Sequence, residues 1–594
     1  MDLNVKAFAA VLSTDDQSPS EPAVLRFAAP NGVRSEWTGW SSGPLRVWFR
    51  AAAKFRGAAL PQGAPWTIVL GDPAEWDPAH PEAPLVSAAR ISYEPDTGAL
   101  TLHTSIVGLP PIFAHRGPKC VALSSELDVL ADLPGVRLEL DPVSVEQLGR
   151  IGHPVGHRTL FRSTTLLRGG SRVRISQDGS DRTESSWQLP RPNPASWETF
   201  IEAQVAAFED AIRRIETSGS FLSLTAGLDT RAIFATVARQ GRPVPAVTMS
   251  GVRRSLDART AARLCREYGV RHQVVTFDER FTRGLPGFVE QASRLSGGLE
   301  SFDQAPEVYL YDELNGEFQA RLSGNLGNQV GRGGTEGVGL RGASQEVLSR
   351  ALRNRMGQDE GGHWLLTQLD SGEASALGFI LQQEIPFSSV GNFSVGAHFA
   401  TQQSPYANRA LIETLALKPV SAQSAPSASM LKMRLRDVRH RFLGEPARNS
   451  FQRTLISRVG GFAAHYPINL GWRAAGGVSL PGLALGIATM VGMVVQKTAF
   501  DEGAFGGFVD RTGVAALHNF RQSARWLKRH LRDYTRDTLA AQDLREQELF
   551  DDASLQRTLD AHFSGAGDHH ETVTYALDVA LAHKLFCRRH PTVP

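Results

Sequence analysis

The chain has 594 residues, 42% of them hydrophobic and 21% charged, and its 63 basic and 61 acidic side chains leave a formal net charge of +2. That length exceeds what one hydrophobic core sustains, so at least two domains are expected, and the composition excludes a disordered or collagen-like chain. Near-neutrality offers no global field for nucleic acid or a membrane surface. Three cysteines, Cys120, Cys265 and Cys587, odd in number and without metal-type spacing, suit a reducing, cytoplasmic compartment better than a disulfide scaffold.

The opening stretch MDLNVKAFAAVLSTDD has two early acids and no basic flank ahead of a long apolar run, so it does not read as a signal peptide. Short runs such as Trp66 to Leu70 (WTIVL), Ala99 to Val107 and Ser171 to Ile175 lie between turn signals and predict a strand-rich α+β first domain. The stretch Gln188 to Pro194 (QLPRPNP) has three prolines in seven residues, which is linker composition. The expected boundaries are 1–187 for the first domain, 188–196 for the linker and 197–594 for the second domain.

After the linker the period changes. Phe200, Ile201, Val205, Phe208, Ile212 and Ile215 recur at helical spacing, predicting a helix with one apolar face that ends near Ser218-Gly219. Phe221 to Leu224 then reads as a strand, Arg231 to Arg239 as a helix, Ala246 to Met249 as a strand, Asp257 to Tyr268 as a helix and His272 to Phe277 as a strand. This alternation predicts a parallel, doubly wound α/β sheet, whose ligands bind beyond the carboxyl ends of the strands. Chemistry is therefore expected at Thr225 to Thr230, around Met249, and after a strand ending near Leu322. From about Gln345 the chain reads as mainly helical. Ala474 to Gln496 carries no charged residue and is long enough to span a bilayer, but with its proline and glycines it is expected to be a buried core segment, without stable membrane insertion.

The turn Leu224-Thr-Ala-Gly-Leu-Asp-Thr-Arg231 places small residues and two hydroxyls between a strand and a helix, where backbone N–H groups and the helix N-terminus face an anion. Asp229 in that turn would repel phosphate unless magnesium lies between them, which points to a metal-bound nucleotide. A capped helix N-terminus without a ligand accounts for the same six residues.

Leu224 to Thr230 resembles the S-G-G-L-D-S pyrophosphate loop of the ATP-pyrophosphatase family, which includes asparagine synthetases, β-lactam synthetases and lasso-peptide cyclases. Thr225 and Thr230 stand for the serines and Ala226 for the first glycine. PAVTM and LDARTAARLCREYGVRH resemble the segments that follow in that family. Upstream, PPIFAHRGPKCVALSSELDVLADLPG and TLFRSTTLLRGGSRV resemble the end of its amidotransferase-like (Ntn-type) α+β domain. Asp551 to Phe586 resembles its C-terminal helices. The resemblance covers most of the chain in the right order. It implies bound ATP and Mg2+, adenylation of a carboxylate with release of pyrophosphate, and attack by an amine.

The chain also departs from the family pattern. Glutamine-using members carry a cysteine after the initiator methionine, whereas position 2 is Asp2 and no cysteine precedes Cys120, so the first domain lacks a glutaminase nucleophile. The S-G-D-G-G-D-E segment becomes Ser323-Gly-Asn-Leu-Gly-Asn-Gln329, with Asn325, Asn328 and Gln329 in place of acids, and P-F-L-D becomes Pro405-Tyr-Ala-Asn408. An amide supplies neither negative charge for magnesium nor a general base. In place of the expected lysine, Arg448 or Arg453 is available. The glycine-rich Gly331-Arg-Gly-Gly-Thr-Glu336 retains an arginine and an acid.

Carried over by resemblance, Thr225, Gly227 and Thr230 hold phosphates, with Ser223, Ala226 and Leu228 in the same loop. Asp229 holds magnesium, Val247 and Met249 flank adenine, and Ser323, Gly324, Asn325 and Asn328 approach the nucleotide. Glu300 and Glu384 are candidates on the substrate side, with Arg448 stabilising charge. The expected function is an ATP-dependent amide-forming ligase acting on a small molecule or on a precursor peptide closed to a macrolactam. A silent nucleotide-binding scaffold and asparagine synthase proper are the alternatives, and a homodimer or a companion maturation enzyme is a candidate partner. Ser296-Gly-Gly-Leu-Glu300 imitates the loop without lying between strand and helix. Basic residues from Arg521 to Arg536 at helical spacing read as a solvated face or an acidic-peptide or RNA site, and His569-His570 as a cap or an incomplete metal site.

Overall fold

The computed structural model describes residues 2–13, 37–51, 59–71, 85–251, 255–332, 347–352, 380–418, 450–475 and 523–587, with short breaks at 43, 87, 119, 177–179, 189, 190, 192, 300, 350, 351 and 469–472. Glu300, Arg448, Gly333 to Glu336, Arg521 and all but the first two residues of the uncharged stretch 474–496 lie outside them. Among the described residues no helix is long and apolar enough to cross a membrane.

The first domain is an eleven-stranded, mainly antiparallel sheet built on β1 (Asp2–Ser13). The other strands are β2 (Thr38–Ser42), β3 (Leu45–Ala51), β4 (Trp66–Gly71), β5 (Ala88–Glu94), β6 (Ala99–His103), β7 (Phe113–Arg116), β8 (Cys120–Ser124), β9 (Thr164–Leu166), β10 (Ser171–Ile175) and β11 (Asp181–Ser185). Asp2 to Val5 of β1 run parallel to β4, while Ala9 to Ser13 pair antiparallel with β8, so one long strand serves two sets of neighbours. Strand alternation divides its side chains between two cores. Phe8, Ala10 and Leu12 pack with Phe49, Ile68, Ile91 and Leu102. Ala9 and Val11 face a helical core that includes α1 (Leu127–Ala131), α2 (Pro142–Ile151) and the C-terminal helix His570–Ala582. The C-terminal helices thus cover the first domain, and Tyr575 donates its hydroxyl to Val145 O at 2.9 Å.

The second sheet has five parallel strands in the order β14 (His272–Thr276), β13 (Ala246–Ser250), β12 (Ser220–Ser223), β15 (Ala320–Leu322) and β16 (Thr401–Gln403). Its helices are α3 (Trp197–Arg214), α4 (Leu228–Arg239), α5 (Leu256–Glu267), α6 (Glu279–Ser296), α7 (Ser301–Leu314) and the short α8 (Gln329–Arg332). Leu222, Leu224, Ala246 and Leu322 bury against α3, α4 and α5, while Phe221, Val247 and Val275 bury against α6 and α7. Both faces are covered, as the apolar strand runs require.

The expected doubly wound parallel sheet is therefore present, and so is the strand-rich first domain. Two boundaries differ from expectation. The strand expected over 99–107 ends at His103, because Thr104 turns to donate its hydroxyl to Arg168 O at 2.7 Å. The mainly helical region after 345 also contributes β16, a polar run (TQQ) that pairs with β15. The linker is tied down rather than free, with Asn193 N–H donating to Ala416 O at 2.7 Å and Ala195 N–H to Leu417 O at 3.0 Å.

Candidate functional site at the switch point

Strand order 3-2-1-4-5 reverses direction between β12 and β15. This is the switch point, beyond the carboxyl ends of the two strands, at which open α/β sheets bind ligands. The turn after β12 (Leu224 to Gly227) and the turn after β15 (Ser323 to Asn328) meet there. The α4 helix starts at Leu228 with no side-chain cap, so its N-terminal N–H groups and positive dipole end face the same place.

The first turn is braced from within. Thr230 Oγ1 accepts the Thr225 N–H at 3.1 Å and lies 3.0 Å from Thr225 Oγ1, which in turn accepts the Gly227 N–H at 3.2 Å. The Ala226 N–H donates to the Asp257 carboxylate at 2.7 Å. Behind the turn Arg231 is 0% exposed, its guanidinium donating to Ala226 O, Tyr466 O and Pro467 O at 3.4, 2.5 and 3.0 Å. Burial lowers its pKa to about 10, which leaves it charged at neutral pH, and the hydrogen-bond partners named are all neutral carbonyls. Backbone carbonyls offset the burial of a cation only in part, and an anion nearby would complete it.

Asp229 is gripped by three elements. Its Oδ1 accepts from Gln452 Nε2 at 3.1 Å, its backbone carbonyl accepts from the Tyr406 hydroxyl at 3.1 Å, and two glycines of the second turn press on its side chain. A Cβ on Gly324 would lie 3.1 Å from Asp229 Cβ, and one on Gly327 would lie 2.8 Å from Asp229 Cγ. The two turns approach this closely only because those positions lack side chains.

Leu326, between these glycines, has φ +66°, a left-handed backbone that costs a bulky residue about 1–3 kcal/mol. The motif it resembles has glycine there. Burial of the Leu326 side chain, 6% exposed, offsets that strain with roughly 1.5–3 kcal/mol.

Other expected site residues fall in varied places. Ser223 accepts Arg321 Nε at 2.7 Å, part of a buried pair in which Arg321 also holds Glu307 at 2.5 Å, and so braces β12 to β15. Val247 is buried in the core and Met249 is partly buried against it, on the face covered by α6 and α7. Leu228 is core, and Asn325 Nδ2 donates to Asn392 Oδ1 at 3.3 Å. Glu384 is fully buried in a single π-helical turn, Ile380–Glu384, next to the segment where Pro386 meets Gly108 of the first domain. The loop Gly297-Gly298 packs on Leu127, Leu160 and Ala582 rather than on either turn at the switch point. Arg536 pairs with Asp560 at 2.6 Å, which assigns part of the basic run to the chain itself.

Among the described residues no three His, Cys, Asp or Glu side chains converge as a metal site. The carboxylates beside the first turn are those of Asp229, held by Gln452, and Asp257, held by the Ala226 N–H. Sequence reading missed Asp257, Arg231, Tyr406 and Gln452 as parts of the site. No family model matches the chain, and no curated protein matches it.

Proposed function

We propose that the chain is an ATP-dependent, amide-forming ligase of the asparagine-synthetase type, with a glutaminase-like first domain that does not release ammonia. The observation that carries this reading is the approach of the two turns, in which Gly324 and Gly327 close on Asp229 across the switch point. The strained Leu326 supports it, because a left-handed backbone kept at a site where glycine would relax it indicates a turn whose shape matters.

In this reading α-phosphate and pyrophosphate lie at the N-terminus of α4, with Thr225, Gly227 and Thr230 as donors and Arg231 supplying buried positive charge behind them. Asp229 and Asp257 would hold Mg2+, which neutralises phosphate charge when bound. The acceptor is a carboxylate of a small molecule or of a precursor peptide, and an amine completes the amide.

A second reading, a nucleotide-binding scaffold without catalysis, is favoured by Asn325, Asn328 and Gln329, which supply no acid in the second turn. ATP–pyrophosphate exchange with candidate carboxylates separates the two, run beside a thermal-shift titration with ATP and Mg2+. Exchange that disappears in Asp229→Ala supports the ligase. A thermal shift without exchange supports the scaffold, and neither signal removes both.

A further inference from the structure

The basic run that follows Ser523 takes no part in the switch-point site, and the fold gathers it onto one face. The helices Ser523–His530 and Arg532–Leu539 meet at Leu531, where the N–H groups of Leu531 and Thr535 donate to Leu527 O and Leu531 O at 3.3 and 2.8 Å, so the winding continues through the junction. Trp526, Leu527 and Leu531 bury one side, with the Trp526 ring 5.2 Å from that of Phe277 and 4.8 Å from that of Phe281. Arg525, Lys528, Arg529 and Arg532, at i, i+3, i+4 and i+7, share another side. Four cations thus lie within about 10 Å of helix length, and no acid falls between Ser523 and Arg532.

The next turn of the same helices has its charges matched. Arg536 holds Asp560 at 2.6 Å, a carboxylate that also accepts from Gln556 Nε2 at 3.0 Å, and Tyr534 and Lys584 share Glu290. By contrast, Lys528, Arg529 and Arg532 form no ion pair among the described residues, and Arg529 and Arg532 are exposed. His530 beside them feels the surplus, since desolvation lowers its pKa and the charges of Arg529 and Arg525 lower it further. Like charges three and four residues apart destabilise a helix, so an anion brought to this face is favoured.

The rim and the length of the stripe say which anion fits. Single-stranded nucleic acid is held by aromatic rings as well as by cations. Here Trp526 is buried, Phe563 lies under Arg536 and Tyr534 under Lys584, so each of these rings is already engaged. Asp533 and Asp537, both exposed, flank the stripe from Arg532 onward and would repel a phosphate backbone continuing along the helix. An extended peptide advances about 3.3 Å per residue, so three or four residues cover the stripe and end before those acids. We propose that Lys528, Arg529 and Arg532 dock a short acidic segment of a partner polypeptide, whose carboxylates take up the charge that this chain leaves unmatched. The docking needs nothing from the switch-point turns.

Fluorescence anisotropy on the full chain at low ionic strength tests it with the labelled peptide GEDEDEG, its amide counterpart GQNQNQG and a short oligothymidylate of the same charge as the acidic peptide. The acidic peptide is expected to bind, the amide peptide to bind about tenfold more weakly, and added salt to erase the difference. Arg529→Glu with Arg532→Glu should abolish binding, and the milder Arg529→Gln with Arg532→Gln should weaken it by about tenfold in folded protein. Arg213→Glu with Arg214→Glu, the same change of charge at exposed positions of α3, should bind as the parent does. Equal binding of the two peptides, binding that survives both changes at 529 and 532, or equal loss in the α3 variant overturns the proposal. An oligothymidylate that binds more tightly than the acidic peptide, and is lost in the same variants, overturns it in favour of a nucleic-acid surface.

Discussion

The Asp257 carboxylate accepts the backbone N–H of Ala226 at 2.7 Å, so the strand-to-helix turn closes on an anion belonging to the chain itself. A phosphate oxygen arriving at that N–H must displace the carboxylate or share the turn with it. In the absence of Mg2+, pyrophosphate should therefore bind Asp257→Asn more tightly than the parent by about tenfold, ~1.4 kcal/mol, because the amide keeps an acceptor for Ala226 but removes the repelling charge. Isothermal titration measures this. Unchanged or weaker binding would mean that Asp257 braces the turn without competing for it.

Close approach of the two turns has a steric consequence at Gly327, where a Cβ would meet Asp229 Cγ at 2.8 Å and Gly324 O at 2.9 Å. Gly327→Ala should lose about 1–3 kcal/mol in urea unfolding, the usual range for overpacking, and with it any thermal shift by ATP. Gly287, exposed inside α6 with nothing within 4 Å of an added Cβ, is the control, and its alanine variant should gain about 0.5–1 kcal/mol. A Gly327→Ala protein as stable as the parent would show that the turns have room to spare.

The two domains are joined by a charge cluster. Glu126 Oε1 lies 2.8 Å from Arg50 Nη2 and 3.5 Å from Nδ1 of His398, which sits on the Val390–Phe399 helix that also carries Phe393. Burial raises the carboxyl, but the Arg50 charge and the His398 contacts outweigh it and bring the pKa down to about 2 from an ordinary 4.5. A carboxyl depressed on folding adds stability that is complete above the higher value and lost as pH falls from about 4.5 towards about 2. Glu126→Gln should therefore be less stable at pH 7, and the gap to the parent should close across that window in an acid-unfolding series. Parallel curves for the two proteins down to pH 2 would dismiss the cluster as a source of acid sensitivity.

The parallel sheet was largely legible because its helices and strands carry their own periodicity. The helix expected from Phe200 to Ile215 is α3, and the alternation from Phe221 to Phe277 is β12 to β14 with α4 and α5. β16 escaped because Thr401-Gln402-Gln403 looks like surface, yet both glutamines are buried by neighbours from distant segments. The site divides in the same way. Small residues and hydroxyls marked the first turn locally, whereas Asp257, Gln452 and Arg231 meet partners 31, 223 and 235 residues away. No local pattern encodes such pairings, nor the left-handed backbone of Leu326.

Asn408 shows how a departure from the resembled motif acquires a different meaning in three dimensions. Its Oδ1 accepts the Leu411 N–H at 3.1 Å and caps the short helix Arg409–Glu413, a task that asparagine and aspartate perform about equally well. The amide at this position keeps the capping acceptor that an aspartate would supply. Asn408→Asp should leave stability within about 0.5 kcal/mol of the parent, while Asn408→Ala should lose ~1 kcal/mol through the missing cap. Denaturant unfolding measures both, and any ATP–pyrophosphate exchange should be the same for the parent and Asn408→Asp. If the aspartate variant instead raises exchange severalfold at unchanged stability, a carboxylate at 408 contributes charge to the reaction, and Asn325→Asp and Asn328→Asp become the next variants to measure.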